Sequence, residues 1–179
     1  NTWNELEGAN VTYECLYISC PLGTTKKDNI AARLMTKLPA SCTNGNLFIE
    51  KPGYLPYRET FETGELGFTA ELTPLKTVEL DLRKYINDNL QESFYLDKDD
   101  TALITILNKN IPQQKIETIY PSMEGLPNTI ELVDGDSTYQ LDLMLIRNNN
   151  IVGGYKGEFT VTSSQMDSAK TLLLNLVSF

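Results

Sequence analysis

Acidic side chains are the most numerous ionisable groups in this chain. The sequence contains 24 Asp and Glu residues, 15 Lys and Arg residues, and no histidine. Histidine is the commonest general base and the commonest zinc ligand, so its absence excludes Ser-His-Asp, Cys-His and histidine-based metal chemistry. The chemistry left to carboxylates is glycoside hydrolysis by a pair of acids, or the binding of a hard cation.

Two short turns are rich in the oxygen ligands that calcium prefers. They are 97–100 (Asp-Lys-Asp-Asp) and 134–136 (Asp-Gly-Asp). Neither matches the twelve-residue calcium loop that ends in a bidentate Glu, so Asx turns and solvated strand ends are the simpler interpretation. No spacing singles out a pair of catalytic acids. The sequence therefore predicts no catalytic, cofactor-binding or metal-binding residue, no cofactor, and a protein that is not an enzyme.

The three cysteines are Cys15, Cys20 and Cys42. In an oxidising compartment one pair is expected, with the third thiol left over. On one continuous strand Cys15 and Cys20 point to opposite faces, which disfavours a bond between them. We therefore expect a disulfide between Cys20 and Cys42, both near turns, with buried free thiols or a soft-metal site as alternatives.

Two further features concern the protein surface. The tripeptide Asn10-Val-Thr is a glycosylation sequon, which makes Asn10 a glycosylation candidate in a secreted protein. Tyr54, Tyr57, Tyr120 and Tyr155 could form a platform that stacks on sugars or binds a protein, although core packing is the commoner role of such residues in a β-sandwich.

Alternation of apolar and polar residues with a period of two predicts strands along most of the chain. The predicted strands are 10–20, 30–37, 47–50, 57–62, 68–74, 77–83, 101–107, 115–120, 129–133, 138–146, 155–162 and 171–179. Turns are expected at Asn44-Gly45, at Pro52-Gly53 and at 148–150, and short helical turns at 85–92 and 164–170. Many short strands without long helices favour antiparallel sandwiches over a parallel sheet.

The length of 179 residues suits two small domains. We place the boundary near Leu75-Lys76, because Thr73-Pro74 interrupts the preceding strand. The expected fold is all-β, with two tandem small antiparallel β-sandwiches over residues 1–75 and 76–179.

A family resemblance supports the first of these domains. Residues 30–75 contain Leu38-Pro39, the Asn44-Gly45 turn, the corner 51–54 (Lys-Pro-Gly-Tyr) and a closing Leu72-Thr-Pro74. This pattern resembles the carboxypeptidase regulatory-like domain, a transthyretin-like β-sandwich. The segment 135–145 is similar to a hairpin of the same family. The resemblance implies the sandwich fold and a more divergent second copy.

The formal charge of −9 and the pI near 4.5 disfavour nucleic acid and anionic lipid as partners. The longest apolar run, 171–179, is too short for a membrane-spanning helix, so we expect no membrane insertion. Residues 1–7 lack a signal-peptide pattern, as expected of a mature or excised segment.

The favoured function is a non-catalytic extracellular or cell-surface structural and adhesion module, serving as a stalk, spacer or protein-interaction segment of a larger assembly. Its expected partners are other protein subunits or surface partners, and self-association is possible. The alternatives are a carbohydrate- or calcium-binding accessory module and, third, an enzyme that uses paired acids.

Overall fold

The computed structural model shows a chain built almost entirely of β-strands, which confirms the predicted all-β class. The residues that the structure describes are 5–38, 44–62, 67–86, 91–168 and 170–178. The chain divides into two compact units, Asn1–Pro74 (unit 1) and Leu75–Phe179 (unit 2). This division lies one residue before the predicted boundary.

Unit 1 is a small antiparallel sheet with a separate two-stranded ribbon. Its strands are β1 (Asn10–Cys15), β2 (Ile18–Thr24), β3 (Lys26–Lys27), β4 (Ala32–Arg33), β5 (Asn44–Glu50) and β6 (Tyr57–Glu62). The strand order is β2-β1-β5-β6, and β3 pairs with β4. Alternate side chains point to one face and form the core, namely Ala9, Val11, Tyr13, Leu47, Ile49 and Phe61.

The prediction of one continuous strand over 10–20 is wrong, because the chain reverses at Leu16-Tyr17 between β1 and β2. The turn was missed since it contains none of the usual turn residues, Gly, Pro, Asn or Asp. By contrast, the bend predicted at Pro52-Gly53 is confirmed, with Gly53 at a φ of 79° between β5 and β6. Gly is the residue that best tolerates this conformation.

Three other predictions in unit 1 are wrong. The strand expected over 30–37 is reduced to β4, and the strand expected over 68–74 is replaced by a single bridge between Tyr54 and Pro74. The expected turn at Asn44-Gly45 is part of β5. Gly45 is needed there because the ring of buried Tyr13 occupies the space of a Cβ atom.

Unit 2 contains the longer strands and the short helix. Its elements are β7 (Leu75–Ile86), β8 (Phe94–Tyr95), β9 (Asp100–Asn108), β10 (Lys115–Tyr120), β11 (Thr129–Val133), β12 (Ser137–Arg147), β13 (Asn150–Val161), α1 (Ser163–Ser168) and β14 (Thr171–Ser178). The predicted strands of this half and the helical turn near 164–170 are confirmed within a few residues. Of the helical turn expected over 85–92, Tyr85 and Ile86 belong to β7, and 87–90 lie outside the described residues.

The strands of unit 2 are paired in the order β10-β9-β12-β13-β14-β7-β11, with β8 added to β7. We call β10-β9-β12-β13 the first layer and β14-β7-β11 the second layer. Among the described residues, backbone pairing joins the two layers at two residue pairs, Gly153 with Ser178 and Gly154 with Val177. Inward-facing side chains of both layers pack into one core, which gives the unit a sandwich-like form.

One pairing departs from the expected antiparallel arrangement. β14 runs parallel to β7 through eight residue pairs, from Thr171 with Glu79 to Ser178 with Ile86. The other pairings in the described part of the chain are antiparallel. A parallel pair needs a long crossover, and here the crossover includes the whole first layer.

Within the described ranges, no helix has the length and apolar character needed to cross a membrane.

Candidate functional site

Four charged side chains meet at one end of unit 2, where β7 ends, β9 begins and β12 ends. We call this cluster the charged end, and it consists of Lys84, Asp97, Asp100 and Arg147. Lys84 Nζ donates hydrogen bonds to Asp100 Oδ2 at 2.7 Å and to Asp97 Oδ2 at 2.6 Å. Arg147 Nε donates to Asp100 Oδ1, and Arg147 Nη2 donates to Asp97 Oδ2, both at 2.7 Å. The cluster therefore connects the two layers.

Asp100 is the centre of the charged end, and its side chain is 0% exposed. Burial by itself raises the pKa of this carboxyl group, but hydrogen bonds from Arg147, Lys84 and the backbone N–H of Asp97 lower it to about 2. The side chain of Lys84 is 3% exposed. Both charges are therefore buried and paired, which is the arrangement that makes a buried charge tolerable.

This geometry suits neither acid catalysis nor calcium binding, the two activities considered for the acidic turn 97–100. A general acid needs a raised pKa, whereas the pKa of Asp100 is lowered. A calcium ion would compete with Lys84 and Arg147 for the oxygens of Asp97 and Asp100. Among the described residues, no group of acidic or thiol side chains is arranged to hold a metal ion.

The second acidic turn, 134–136, supports the short helix. Asp136 Oδ1 accepts hydrogen bonds from Ser163 N at 2.7 Å and from Ser163 Oγ at 3.0 Å. These bonds lower the pKa of Asp136. The carboxylate caps the first residue of α1, as acidic side chains often do at a helix start.

A network of uncharged polar side chains lies at the opposite end of unit 2. We call it the neutral end, and its members are Asn108, Gln114, Ser137 and Tyr139, all buried. Asn108 Nδ2 donates to Gln114 Oε1 at 2.9 Å. Gln114 Nε2 donates to Glu131 O at 3.1 Å, and Tyr139 Oη accepts from Val133 N at 3.0 Å. The last two bonds connect the first layer and its loop to β11 of the second layer.

A cavity of about 250 Å³ opens where β13 and β14 separate beyond their short joint. It is lined by Val78, Leu132, Phe159, Thr160, Val161, Gln165, Thr171 and Leu172. This volume lies just below the range of roughly 300–1,000 Å³ that is usual for ligand pockets. The described residues of the lining include no acid, base or thiol.

The turn between β1 and β2 exposes three consecutive apolar side chains. We call it the hairpin tip, and it consists of Leu16, Tyr17 and Ile18, which are 92%, 102% and 67% exposed. Leu16 has a positive φ of 56°, a conformation that Gly and Asn adopt more easily. The hairpin between β12 and β13 uses Asn148 and Asn149 at its own positive φ angles. The hairpin tip is thus apolar and strained where the chain elsewhere uses suitable polar residues.

The structure contradicts the predicted disulfide between Cys20 and Cys42, because the Cys20 thiol is free. Cys42 lies outside the described residues, and Cys15 is disulfide-bonded. The argument that Cys15 and Cys20 point to opposite faces is also wrong. They lie on neighbouring strands, with Cys20 opposite Tyr13 and Cys15 opposite Ile18, so both share the face of Tyr13.

The remaining candidates are surface residues. Asn10 is exposed at the start of β1, and its glycosylation stays a prediction. Of the four tyrosines, only Tyr155 is exposed, whereas Tyr54, Tyr57 and Tyr120 are half-buried. The ring of Tyr57 packs against Phe68. This placement favours the packing role for most of the set.

Sequence reasoning missed Lys84, Arg147 and the hairpin tip. One signal was available for Lys84, which continues the inward positions Leu80 and Leu82 of β7. Asp100 likewise precedes the inward positions of β9. A charge at an inward position of a strand end indicates a buried partner of opposite sign. The hairpin tip gave no such signal, because its residues continue the alternation of a strand.

Searches of protein-family models, curated proteins and solved structures find nothing that matches this chain. The resemblance to the carboxypeptidase regulatory-like domain therefore stays a prediction.

Proposed function

We propose that this chain is a non-catalytic, load-bearing spacer of an extracellular or cell-surface assembly, with unit 1 available to a protein partner. The observation that carries the proposal is the parallel pairing of β7 with β14, the first and last strands of unit 2.

The parallel pair gives unit 2 a mechanically favourable connection. A pull that enters before Leu75 and leaves after Ser178 draws the two strands in opposite directions along their own axes. The hydrogen bonds of all eight residue pairs are then loaded together. In an antiparallel pair of terminal strands, the same pull would separate the bonds one after another. Shear across many bonds at once needs a larger force, which is what a spacer under tension requires.

The polar groups at both ends of unit 2 support the same proposal. Lys84 of β7 is bound to Asp100 of β9 and the Asp97 turn, which hinders sliding of the second layer past the first. At the neutral end, Tyr139 and Gln114 bind the backbone of β11. The reactive groups of both clusters are used in contacts within the unit, in keeping with a structural rather than a catalytic role.

Two observations support the extracellular or cell-surface location. Cys15 is disulfide-bonded, and disulfides persist mainly in oxidising compartments. Asn10, the glycosylation candidate, is exposed, so an oligosaccharide could be attached there.

Single-molecule force measurements on the full chain test this proposal. Handles at the two termini load β7 against β14 in shear, and unit 2 is identified by a length gain of roughly 350 Å for its residues. In the matched control the handles are attached at Asn149 and after Ser178, which lie at the same end of unit 2. This pull peels β14 off the unit, starting at its last residue. We expect a severalfold higher unfolding force between the termini. Equal forces in the two geometries would contradict the proposal.

A further inference from the structure

The hairpin tip combines two independent departures from ordinary surface structure. Leu16, Tyr17 and Ile18 form an apolar patch at a position where a turn is normally polar. At roughly 150–250 Å² for an aromatic side chain, with smaller aliphatic ones beside it, the patch offers on the order of 400 Å², comparable to the largest patch on a typical monomer. Leu16 also has a positive φ, and strained residues cluster at functional sites.

From these features we propose that the hairpin tip inserts into an apolar pocket of a partner protein. This inference rests on the proposed function, because it names the surface through which the spacer meets another subunit. Tyr17 is the central anchor, flanked by the two aliphatic side chains. Large aromatic side chains that fill a pocket are the usual energetic centres of protein interfaces.

The hairpin tip is presented on a well-supported base. β1 lies between β2 and β5, and Tyr13 of β1 is fully buried in the core of unit 1. Cys15, the residue before the tip, is disulfide-bonded. A fixed base reduces the conformational entropy that is lost on binding.

The tip, rather than the edge of its sheet, is the part that docks. β2 is an edge strand, and an unpaired edge can accept a strand from another protein. However, Pro21 lacks a backbone N–H, and the pairing register of β1 and β2 shifts between Val11 and Thr12. These features interrupt the row of hydrogen-bonding groups that strand addition would need.

The charges near the tip favour a protein over a lipid surface. The stretch 10–24, which forms the hairpin, contains no Lys or Arg, and its only charged residue is Glu14. Loops that bind anionic lipid carry basic residues beside their apolar side chains. Three of the basic residues of unit 1, Lys26, Lys27 and Arg33, lie instead in the β3–β4 ribbon beyond the far end of β2.

Shape and charge together define the partner. A convex tip cannot fit against an identical convex tip. A second copy bound tip to tip is therefore disfavoured. The partner needs a concave apolar pocket, a hydrogen-bond acceptor for the Tyr17 hydroxyl, and neutral or basic groups near Glu14.

Photocrosslinking in the native assembly tests the inference. Tyr17 is replaced by p-benzoylphenylalanine in the full chain, and the attachment point on the crosslinked protein is mapped. We expect one partner, crosslinked at residues that lie among apolar side chains. Ile30, which is 77% exposed in the turn between β3 and β4, carries the same probe as the matched control. Equal crosslinking to that partner from Ile30 would overturn the inference.

Two variants then separate binding from folding, with the crosslinked partner purified as the probe. Tyr17→Ser should weaken binding at least thirtyfold, as expected of a central anchor, and Leu16→Gly, which removes a flanking aliphatic side chain, should weaken it about tenfold. Leu16→Gly should leave thermal stability unchanged or higher, because Gly adopts the positive φ without strain. If binding is unaffected in both variants, the inference is wrong.

Two further outcomes would also overturn it. One is flotation of the chain with phosphatidylcholine or phosphatidylcholine–phosphatidylglycerol vesicles that Tyr17→Ser abolishes, which would identify a lipid partner. The other is a dimer in sedimentation velocity that Tyr17→Ser abolishes, which would identify a second copy. Neither result depends on the force measurements on unit 2, so the two proposals can fail separately.

Discussion

The two ends of unit 2 join the same two layers by different means. At the charged end, buried ion pairs around Asp100 occur together with the backbone pairing of β13 and β14 at Gly153. At the neutral end, amide and hydroxyl groups make the connection, and a cavity remains between β13 and β14. One end is closed and the other is partly open.

The difference follows from the cost of incomplete contacts. A buried charge that loses one partner strongly destabilises the folded state. The charged end is therefore stable only when the ion pairs of Asp100 and Lys84 are complete. A neutral polar group that loses one hydrogen bond costs less. We therefore expect substitutions to be most damaging at the charged end and mildest near the cavity.

The largest effect is expected from Asp100→Ala. This change leaves Lys84 buried with only the exposed carboxylate of Asp97, and it removes the main acceptor of Arg147. The free energy of unfolding of unit 2 should fall by about 3–5 kcal/mol in urea denaturation. Asp99→Ala, at an exposed neighbouring position, is the control and should change it by less than about 0.5 kcal/mol. Similar effects at both positions would show that the buried ion pairs contribute little.

Gly153→Ala tests the backbone joint at the same end. A Cβ atom on Gly153 would overlap Val177 O, which is backbone and cannot move aside. We expect a loss of about 2–3 kcal/mol in the free energy of unfolding. In Gly135→Ala the new Cβ meets only Val133 Cγ1 at 3.9 Å, so this control should be nearly neutral. A neutral Gly153→Ala would mean that the two layers do not depend on their close approach.

Acid should weaken the charged end. The pKa of Asp100 is about 2 in the folded state, below its ordinary value of 3.8. A lowered pKa stabilises the folded state above the unfolded-state pKa, and this contribution is lost as the pH falls through the folded-state pKa. Between pH 5 and 2 the loss should be about 2 kcal/mol. The measurement is the difference in unfolding free energy between the wild type and Asp100→Asn, which should shrink over this range; a constant difference would refute the assignment.

Tyr139→Phe tests the neutral end. The change removes the acceptor of the buried Val133 N–H but keeps the aromatic ring, which stacks on Phe159. The free energy of unfolding should fall by about 1–2 kcal/mol, less than for Asp100→Ala. Tyr155→Phe, at an exposed tyrosine, is the control. If Tyr139→Phe is as damaging as Asp100→Ala, the two ends do not differ in the way described.

The smallest effect, with the opposite sign, is expected from filling the cavity. Val78 is 4% exposed and lines the cavity, so Val78→Ile adds one methyl group to apolar space. Thermal unfolding should show a gain of up to about 0.8 kcal/mol. Val133→Ile, at a buried position outside the cavity lining, should not be stabilising. A loss of stability in Val78→Ile would indicate that the space is already closed.

The strands of unit 2 could be predicted because their inward positions are regular. In β9, buried residues alternate without interruption from Asp100 to Asn108. Their pairing could not be predicted, because alternation identifies a buried face but not the neighbouring strand. The parallel position of β14 beside β7 therefore depends on the packing of the whole unit.

Unit 1 was harder to predict for two physical reasons. Leu16-Tyr17 forms a turn without turn residues, and Gly45, a typical turn residue, lies inside a strand because Tyr13 fills the space beside it. At Gly45 a tertiary contact overrides the local preference, and Leu16-Tyr17 departs from that preference at the surface that we propose binds a partner. The same limit applies to the sites, since the acidic turn 97–100 was visible in the sequence but its partners Lys84 and Arg147 were not.

The pairing of β14 with β7 also sets the order in which the protein can be made. Thr171 pairs with Glu79, at a sequence separation of 92 positions. Contacts this distant form late, because closing a long loop costs entropy before any bond is gained. During synthesis β7 emerges long before its partner, so one of its edges stays unpaired until the last strand is made. Chaperones that shield nascent strand edges would therefore be expected to act on β7 until synthesis of the unit is complete.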